Sequence, residues 1–319
     1  MYNSKIIFIV SGVKLRMTIL LWGLLSTVYA QTDWEGFSLD SVQSKIDGKW
    51  QPFYYWKAEK PNQPLVVVLH TWSGDYTQTE NSLATQTKTK GWNYIHPNFR
   101  GANNHPEACG SELVIADIDQ AIDWALENLP VNQDSIFVLG ASGGGYATLV
   151  AYMKSRHQIR SFHAYVPISD LVAWYEESLV RTPRYAQNIL DCTASEDSVL
   201  NVAEAKRRSP LYWKTSREKR KSTSLHLYAG VHDGYTGSVP ITHSINFYNK
   251  VLRDARVKKK RAVVSDEIII QLLTKRSSSK ENRLLDDRKV HLYRNWKNVS
   301  LTIFEGSHEM LEDIALEML

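Results

Sequence analysis

The chain has 319 residues, a formal net charge of +4 and only two cysteines. That length suits a single α/β domain, and no 20–50-residue repeat is visible, which argues against a propeller or a solenoid. No cysteine–histidine cluster has zinc spacing, so neither a metal nor a cofactor is expected.

Charge is unevenly placed along the chain. Lys5, Lys14 and Arg16 precede an apolar run from Met17 to Leu25 and the stretch Ser26-Thr27-Val28-Tyr29-Ala30. This pattern predicts a secretory signal over 1–30, cleaved after Ala30, and a secreted or periplasmic protein. The run is shorter than the roughly 20 residues of a membrane span, so no stable membrane insertion is expected; an uncleaved anchor is the alternative. Residues 251–300 carry a net charge of about +8, including Lys258-Lys259-Lys260-Arg261, and the remainder of the chain is net acidic. The reading is a solvated basic insertion over 255–298. A nucleic-acid partner is not expected; an acidic polysaccharide suits the charge better.

Residues 31–319 read as one domain. Two leading strands, 35–47 and 50–58, join at Asp47-Gly48. Residues 64–70 form a buried strand, followed by a helix near 77–89, a short strand at 92–95 and a loop rich in turn formers over 96–111. Val114, Ile118, Ala121, Ile122 and Ala125 mark one stripe of an amphipathic helix over 113–129. A strand over 135–139 leads into Gly140-Ala141-Ser142-Gly143-Gly144-Gly145 and a helix, then a strand over 162–167. Residues 170–215 break this rhythm and predict a helical cap insertion, with helices at 171–175 and 199–207. Strands over 225–230 and 299–304 follow, separated by the basic insertion, where Ser265 is expected to cap a helix from Asp266 to Leu273. A last helix is expected over 309–319. Alternating strands and helices indicate a mainly parallel central sheet flanked by helices on both faces.

Gly140-x-Ser142-x-Gly144 between a strand and a helix is the pattern of a nucleophile elbow, where a strained turn lifts a serine hydroxyl clear of the sheet. A serine needs a base, and the base needs an orienting carboxylate. Asp233 and His308 each follow a strand, in the order such sheets use. Alternatives stand beside them: Asp233 could cap a helix beginning near Val239, His308 could cap the last helix, and His232 is a rival base. The oxyanion hole calls for two backbone N–H donors. Gly143 and Trp72 are the candidates, with Thr71 as runner-up to Trp72. Cys109 and Cys192 fall in segments expected above the strand ends, and a disulfide between them would brace the site entrance, but spacing alone leaves the pairing open.

With these pieces in place, the chain resembles the prolyl-oligopeptidase-like branch of α/β-hydrolases. The matching segments are Leu69-His70-Thr71-Trp72-Ser73-Gly74, Asn98-Phe99-Arg100-Gly101, the glycine-rich elbow, Arg208-Ser209-Pro210, His232-Asp233-Gly234 and Gly306-Ser307-His308. The resemblance covers most of residues 35–319 and implies an α/β-hydrolase fold with Ser142 as nucleophile, Asp233 as acid and His308 as base. Large peptidases of that branch also carry an N-terminal propeller, for which this chain has no room.

For substrate, Trp72, Trp174, Tyr175, Tyr212, Trp213 and Tyr235 fall in loops or the cap, where flat rings suit sugars. Arg100 could bind a carboxylate near the site or form a structural ion pair. These features point to a secreted serine hydrolase that cleaves carboxylic esters through an acyl-enzyme, a carbohydrate esterase removing acetyl or uronate methyl esters from plant polysaccharide, with a small ester or the polysaccharide as substrate. The alternative is a peptidase, as the resemblance implies, with Glu176-Glu177 as the acidic pair available to hold a free amino terminus. The oligomeric state is left open.

Overall fold

The computed structural model describes residues 34–79, 81–277 and 282–319. The expected signal over 1–30 lies outside them. The chain enters as an antiparallel hairpin, β1 (Ser38–Gln43) and β2 (Trp50–Trp56), paired from Ser38–Tyr55 to Gln43–Trp50. The strand β3 (Gln63–Leu69) follows. Val66, Val67 and Val68 are fully buried in it, which is why three consecutive apolar residues, rather than alternation, mark this strand. The helix α1 (Asn81–Thr89) and the strand β4 (Asn93–Pro97) come next.

The helix α2 (Glu112–Asn128) starts where the Ser111 side chain accepts the Val114 N–H, and it buries the predicted stripe. The strand β5 (Val131–Ala141) runs into the helix α3 (Gly143–Lys154), and the strand β6 (Ser161–Tyr165) follows. The cap then inserts three helices, α4 (Leu171–Arg181), α5 (Pro183–Cys192) and α6 (Val202–Arg208). After the short helix α7 (Lys219–Ser222) come the strand β7 (Ser224–Gly230) and the helix α8 (Thr242–Asp254). The helix α9 (Asp266–Lys275) leads to the strands β8 (Leu284–Leu285), β9 (Arg288–Trp296) and β10 (Val299–Phe304), and the chain closes with the helix α10 (Glu312–Ala315).

All ten strands form one sheet in the order β1-β2-β4-β3-β5-β6-β7-β10-β9-β8. From β4 through β10 neighbouring strands are parallel, and the sheet is antiparallel only towards its two edges. The fold is that of an α/β-hydrolase. Because the central strands are parallel, the residues after β3, β5, β7 and β10 gather at one edge, and these are Trp72, Ser142, Asp233 and His308.

Four local expectations change. The sequence predicts cap helices at 171–175 and 199–207, yet a further helix, α5, lies between them and starts with Pro183 in its first turn, where the missing N–H has no partner to lose. The basic insertion contributes β9, which extends the sheet antiparallel to β10 instead of lying apart as a solvated loop. Val290, His291 and Leu292 are buried there, and the flanking Arg288, Lys289 and Arg294 suit a strand near a sheet edge. Ser265 precedes α9 but its side chain makes no cap bond. The last helix is a single short segment, followed by a 3-10 turn at Leu316–Met318.

A second apolar cluster forms under the cap, separate from the sheet core. Trp72, Tyr146, Trp174 and Ile189 are buried in it beside a disulfide between Cys109 and Cys192, whose Cα atoms are 6.1 Å apart. The bridge ties the loop before α2 to the end of α5.

Candidate active site

Ser142 stands between β5 and α3 with φ +57° and ψ −116°, a backbone state that side chains other than glycine rarely hold. The surrounding hydrogen bonds fix it: its N–H donates to Tyr165 O at 2.9 Å, and its carbonyl accepts the Tyr146 N–H at 2.8 Å. The glycines beside it are dictated by contact. A Cβ at Gly144 would land on the carbonyl oxygen of Leu69, and one at Gly143 on the backbone N of Trp72. The elbow can therefore press against the loop after β3 only if both positions lack side chains.

Asp233 and His308 meet. His308 Nδ1 lies 2.8 Å from Asp233 Oδ2, although the two are 75 residues apart in sequence. Asp233 Oδ1 accepts the N–H groups of Gly234 and Val239, at 2.9 and 3.1 Å. The contact to Val239, which suggested a capping role, thus coexists with the histidine contact and orients the same carboxylate. A carboxylate accepts, so the imidazole proton sits on Nδ1 and Nε2 keeps its lone pair, the tautomer a general base requires. Among the described residues Ser142 Oγ and His308 Nε2 are not hydrogen-bonded; such bonds are often long without substrate and tighten when it is seated.

The turns carrying the acid and the base are stitched together. His232 N–H donates to Gly306 O at 3.0 Å, and the hydroxyls of Thr236 and Ser307 are 2.8 Å apart. His232, the rival base, is occupied elsewhere: its Nε2 lies 2.7 Å from Glu305 Oε1, while His291 Nε2 lies 2.8 Å from Oε2 of the same carboxylate. Burial raises the Glu305 carboxyl, but the hydrogen bonds to His291 and His232 outweigh it and hold the pKa below the usual range. Sequence reading missed Glu305, and it also missed Gly237. A Cβ at Gly237 would fall on Asp233 Oδ1 and within 2.6 Å of His308 Cβ.

The loop after β3 separates the two oxyanion candidates. Thr71 N–H is engaged by Gln78 Oε1 at 2.9 Å. Trp72 N–H takes no acceptor among the described residues, and it is the group against which Gly143 packs. Gly143 opens α3, so its own N–H has no intrahelical partner. Two unengaged N–H groups side by side, next to the serine, are the arrangement an oxyanion needs. Asn103 holds the Trp72 carbonyl through its backbone N–H (2.8 Å) and its amide (3.3 Å), while its Oδ1 accepts the Cys109 N–H at 2.8 Å. His70 anchors the start of the loop, stacked on Phe99 at 3.8 Å, with burial pushing its pKa down to about 4.

Most of the residues expected at the substrate are already committed elsewhere in the fold. Arg100 is buried and committed to Asp117 Oδ2 and Asp47 Oδ2, both at 2.5 Å, and to Ser44 Oγ at 2.9 Å. It is the structural ion pair and not a carboxylate receptor. The side chains of Trp72, Trp174 and Tyr175 are buried in the cap cluster, because their rings fill the space between cap and elbow. Tyr235 is exposed and lies under the Arg276 guanidinium at 3.9 Å. No open sugar-binding platform is built from Trp72, Trp174 and Tyr175. Glu177 lies 2.9 Å from His243 Nε2, and only Glu176 of the acidic pair is exposed.

No group of three or more metal-ligating side chains occurs among the described residues. Elbow, acid–base pair and paired N–H donors on this sheet define a serine hydrolase of the α/β-hydrolase class. The family model for the prolyl oligopeptidase family matches residues 79–266, and the chain belongs to that family. The match includes Ser142 and Asp233 and ends before His308. Among solved structures the chain is similar to an acylaminoacyl peptidase of Pyrococcus horikoshii, with TM-score 0.54 and 20% identity over 69% of this chain and 35% of that one. It is also similar to prolyl oligopeptidase B from Galerina marginata, with TM-score 0.55 and 13% identity over 68% and 31%. A Mycobacterium tuberculosis puromycin-hydrolyzing peptidase aligns with TM-score 0.53 and 18% identity over 68% and 34%. The chain spans about a third of the length of these proteins. No curated protein matches it significantly.

Proposed function

We propose that this protein is a serine peptidase that hydrolyses amide bonds of short peptides or aminoacyl compounds through an acyl-enzyme. The observation that carries the reading is the family membership of a chain whose Asp233–His308 pair is formed at the sheet edge that carries the elbow. In the proposed cycle His308 Nε2 takes the Ser142 proton as Oγ attacks the carbonyl carbon. The oxyanion is received by the N–H groups of Gly143 and Trp72. The imidazolium then hands its proton to the leaving amine, and water repeats the sequence to release the acid. Burial of Trp72, Trp174 and Tyr175, three of the six aromatic residues first assigned to sugars, weakens the support for a carbohydrate esterase, and the amide reading takes its place. The named activities of the similar solved structures, acylaminoacyl and puromycin-hydrolyzing peptidases, agree with it. The disulfide supports a location outside the reducing cytosol, in line with the signal read at 1–30.

The test is a comparison of rates on aminoacyl and N-acyl-aminoacyl 4-nitroanilides, 4-nitrophenyl acetate, acetylated xylan and methyl-esterified pectin. Amide turnover with no release from the polysaccharides is expected. Deacetylation or demethylation of polysaccharide without amide turnover would overturn the proposal.

A further inference from the structure

Far from the active site, the fold assembles a basic concavity that the sequence does not show as a unit. Lys214, Arg217, Arg220 and Lys221, from the segment leading into β7, meet Arg256 from the end of α8 and Lys297 from the turn between β9 and β10. Together they line a hollow of about 380 Å³. The linear run at Lys258 and Lys259 does not line it, although it is the most conspicuous basic feature of the chain.

The concavity contains one carboxylate, and that carboxylate is already answered. Asp254 Oδ2 is paired with Lys250 Nζ at 2.9 Å and accepts the Thr215 N–H at 2.8 Å. Arg220 donates instead to the Asp254 backbone carbonyl, at 2.7 Å, which fixes its position without neutralising it. Among the described residues none of the six cations lies within ion-pair distance of a carboxylate. Glu218 is exposed on the same segment but does not line the hollow. Positive side chains gathered in a concave site repel one another and focus a field that a bound anion relieves. Trp296 supplies one aromatic surface, with Lys297 Nζ 5.0 Å from its ring.

We propose that this hollow is a binding site for an anionic sugar chain, in which acidic groups meet the Lys and Arg rim and a sugar ring packs on Trp296. Two observations set the class. Arg217 and Arg256 present forked donors that suit carboxylate or sulfate oxygens, and Arg220, whose Nε and Nη1 are held by the Ser216 and Asp254 carbonyls, adds its charge and Nη2. A compact hollow with one aromatic surface fits one or two sugar units, whereas a nucleic acid calls for a long basic track with repeated stacking. The site lies where β7 and β10 begin, and Asp233 and His308 follow the ends of those strands. The seven residues of β7 therefore separate it from the catalytic edge by roughly 20 Å. It anchors the enzyme to an acidic matrix and does not hold the scissile bond.

The experiment uses the full chain and measures binding to polygalacturonate, dextran sulfate, neutral dextran and a DNA duplex at low salt. Lys221→Glu/Lys297→Glu is compared with Lys258→Glu/Lys259→Glu, which changes net charge equally outside the hollow. We expect binding to one or both acidic polymers and none to neutral dextran, and the polymer preferred identifies carboxylate or sulfate as the recognised group. The first pair should weaken binding about tenfold or more and the second less than about twofold, with nitroanilide turnover unchanged in both. Equal losses in the two pairs, no binding to either acidic polymer, or tighter binding to DNA than to both would overturn the proposal.

Discussion

The indole of Trp174 in the cap meets that of Trp72 edge-on, with 4.6 Å between ring centroids. Trp72 is also the residue whose backbone N–H faces the elbow, so one residue links the cap to the oxyanion site. Asn188 of α5 accepts the Trp72 indole N–H at 3.3 Å, and the disulfide holds the end of the same helix to Cys109. The cap therefore clamps the residue proposed to supply an oxyanion donor.

This clamp predicts a double effect for Cys109→Ser/Cys192→Ser. The bridge closes a loop with a sequence separation of 83 residues, and losing a native disulfide typically removes about 2–5 kcal/mol of stability. Turnover should fall as well, mainly in kcat, because Trp72 N–H loses its fixed position while the triad side chains remain. Chemical denaturation and steady-state kinetics read the two separately. Full kcat in a destabilised variant would show that the cap does not hold the oxyanion site.

Ser142→Ala should reduce kcat by about ten-thousandfold or more, because triad members act as a unit. The melting temperature should change little, since the serine side chain is not part of the core. Asp233→Asn should cause a comparable kcat loss by presenting the wrong imidazole tautomer, and it should also destabilise the turn in which the carboxylate accepts two backbone N–H groups. Retained activity in Ser142→Ala would mean that the nucleophile lies elsewhere.

Gly237→Ala is a sharper probe of geometry. The added methyl would meet Asp233 Oδ1 and His308 Cβ, and neither can withdraw without parting from the other. A fall in kcat of about a hundredfold, with the fold intact by circular dichroism, is the expected result for a displacement of this size. Wild-type kcat would show that the turn absorbs the methyl harmlessly.

The elbow and the Asp233–His308 pair were legible because their signals are local. Glycines flank the serine where backbone approaches backbone, and Asp233 and His308 each sit one turn beyond a recognisable strand. Trp72 could be nominated by its place after β3, but only the engagement of Thr71 N–H by Gln78 decides between the neighbours. Glu305, Gly237 and Asn103 gave no signal of their own, since each acts through partners that only the folded chain brings near. Trp174 misled for the same reason, while Arg100 formed the structural ion pair that was one of its two readings. Residue type shows that a ring or guanidinium is available, not whether packing has already consumed it. The helix α5 and the strand β9 were missed, the first inside an insertion with no regular rhythm and the second because a basic edge strand imitates a solvated loop.

Acid should unfold this protein over a definable range, and activity profiles must be read against it. Burial lowers the pKa of His70 to about 4 and of His96 to about 3, and it holds His163 well below the ordinary value. In the unfolded chain each would protonate near its ordinary 6.5, whereas the folded protein keeps all three neutral. The unfolded state therefore binds more protons below pH 6.5. Stability is full above that pH and is lost as pH falls towards about 4 for His70 and about 3 for His96. Each histidine contributes up to about 1.4 kcal/mol per pH unit within its window. Urea midpoints should thus drop clearly between pH 7.5 and pH 5, with fully active enzyme recovered on return to neutral pH. A midpoint unchanged across that interval would mean that these imidazoles charge within the folded protein, and the burial assigned to them would be wrong.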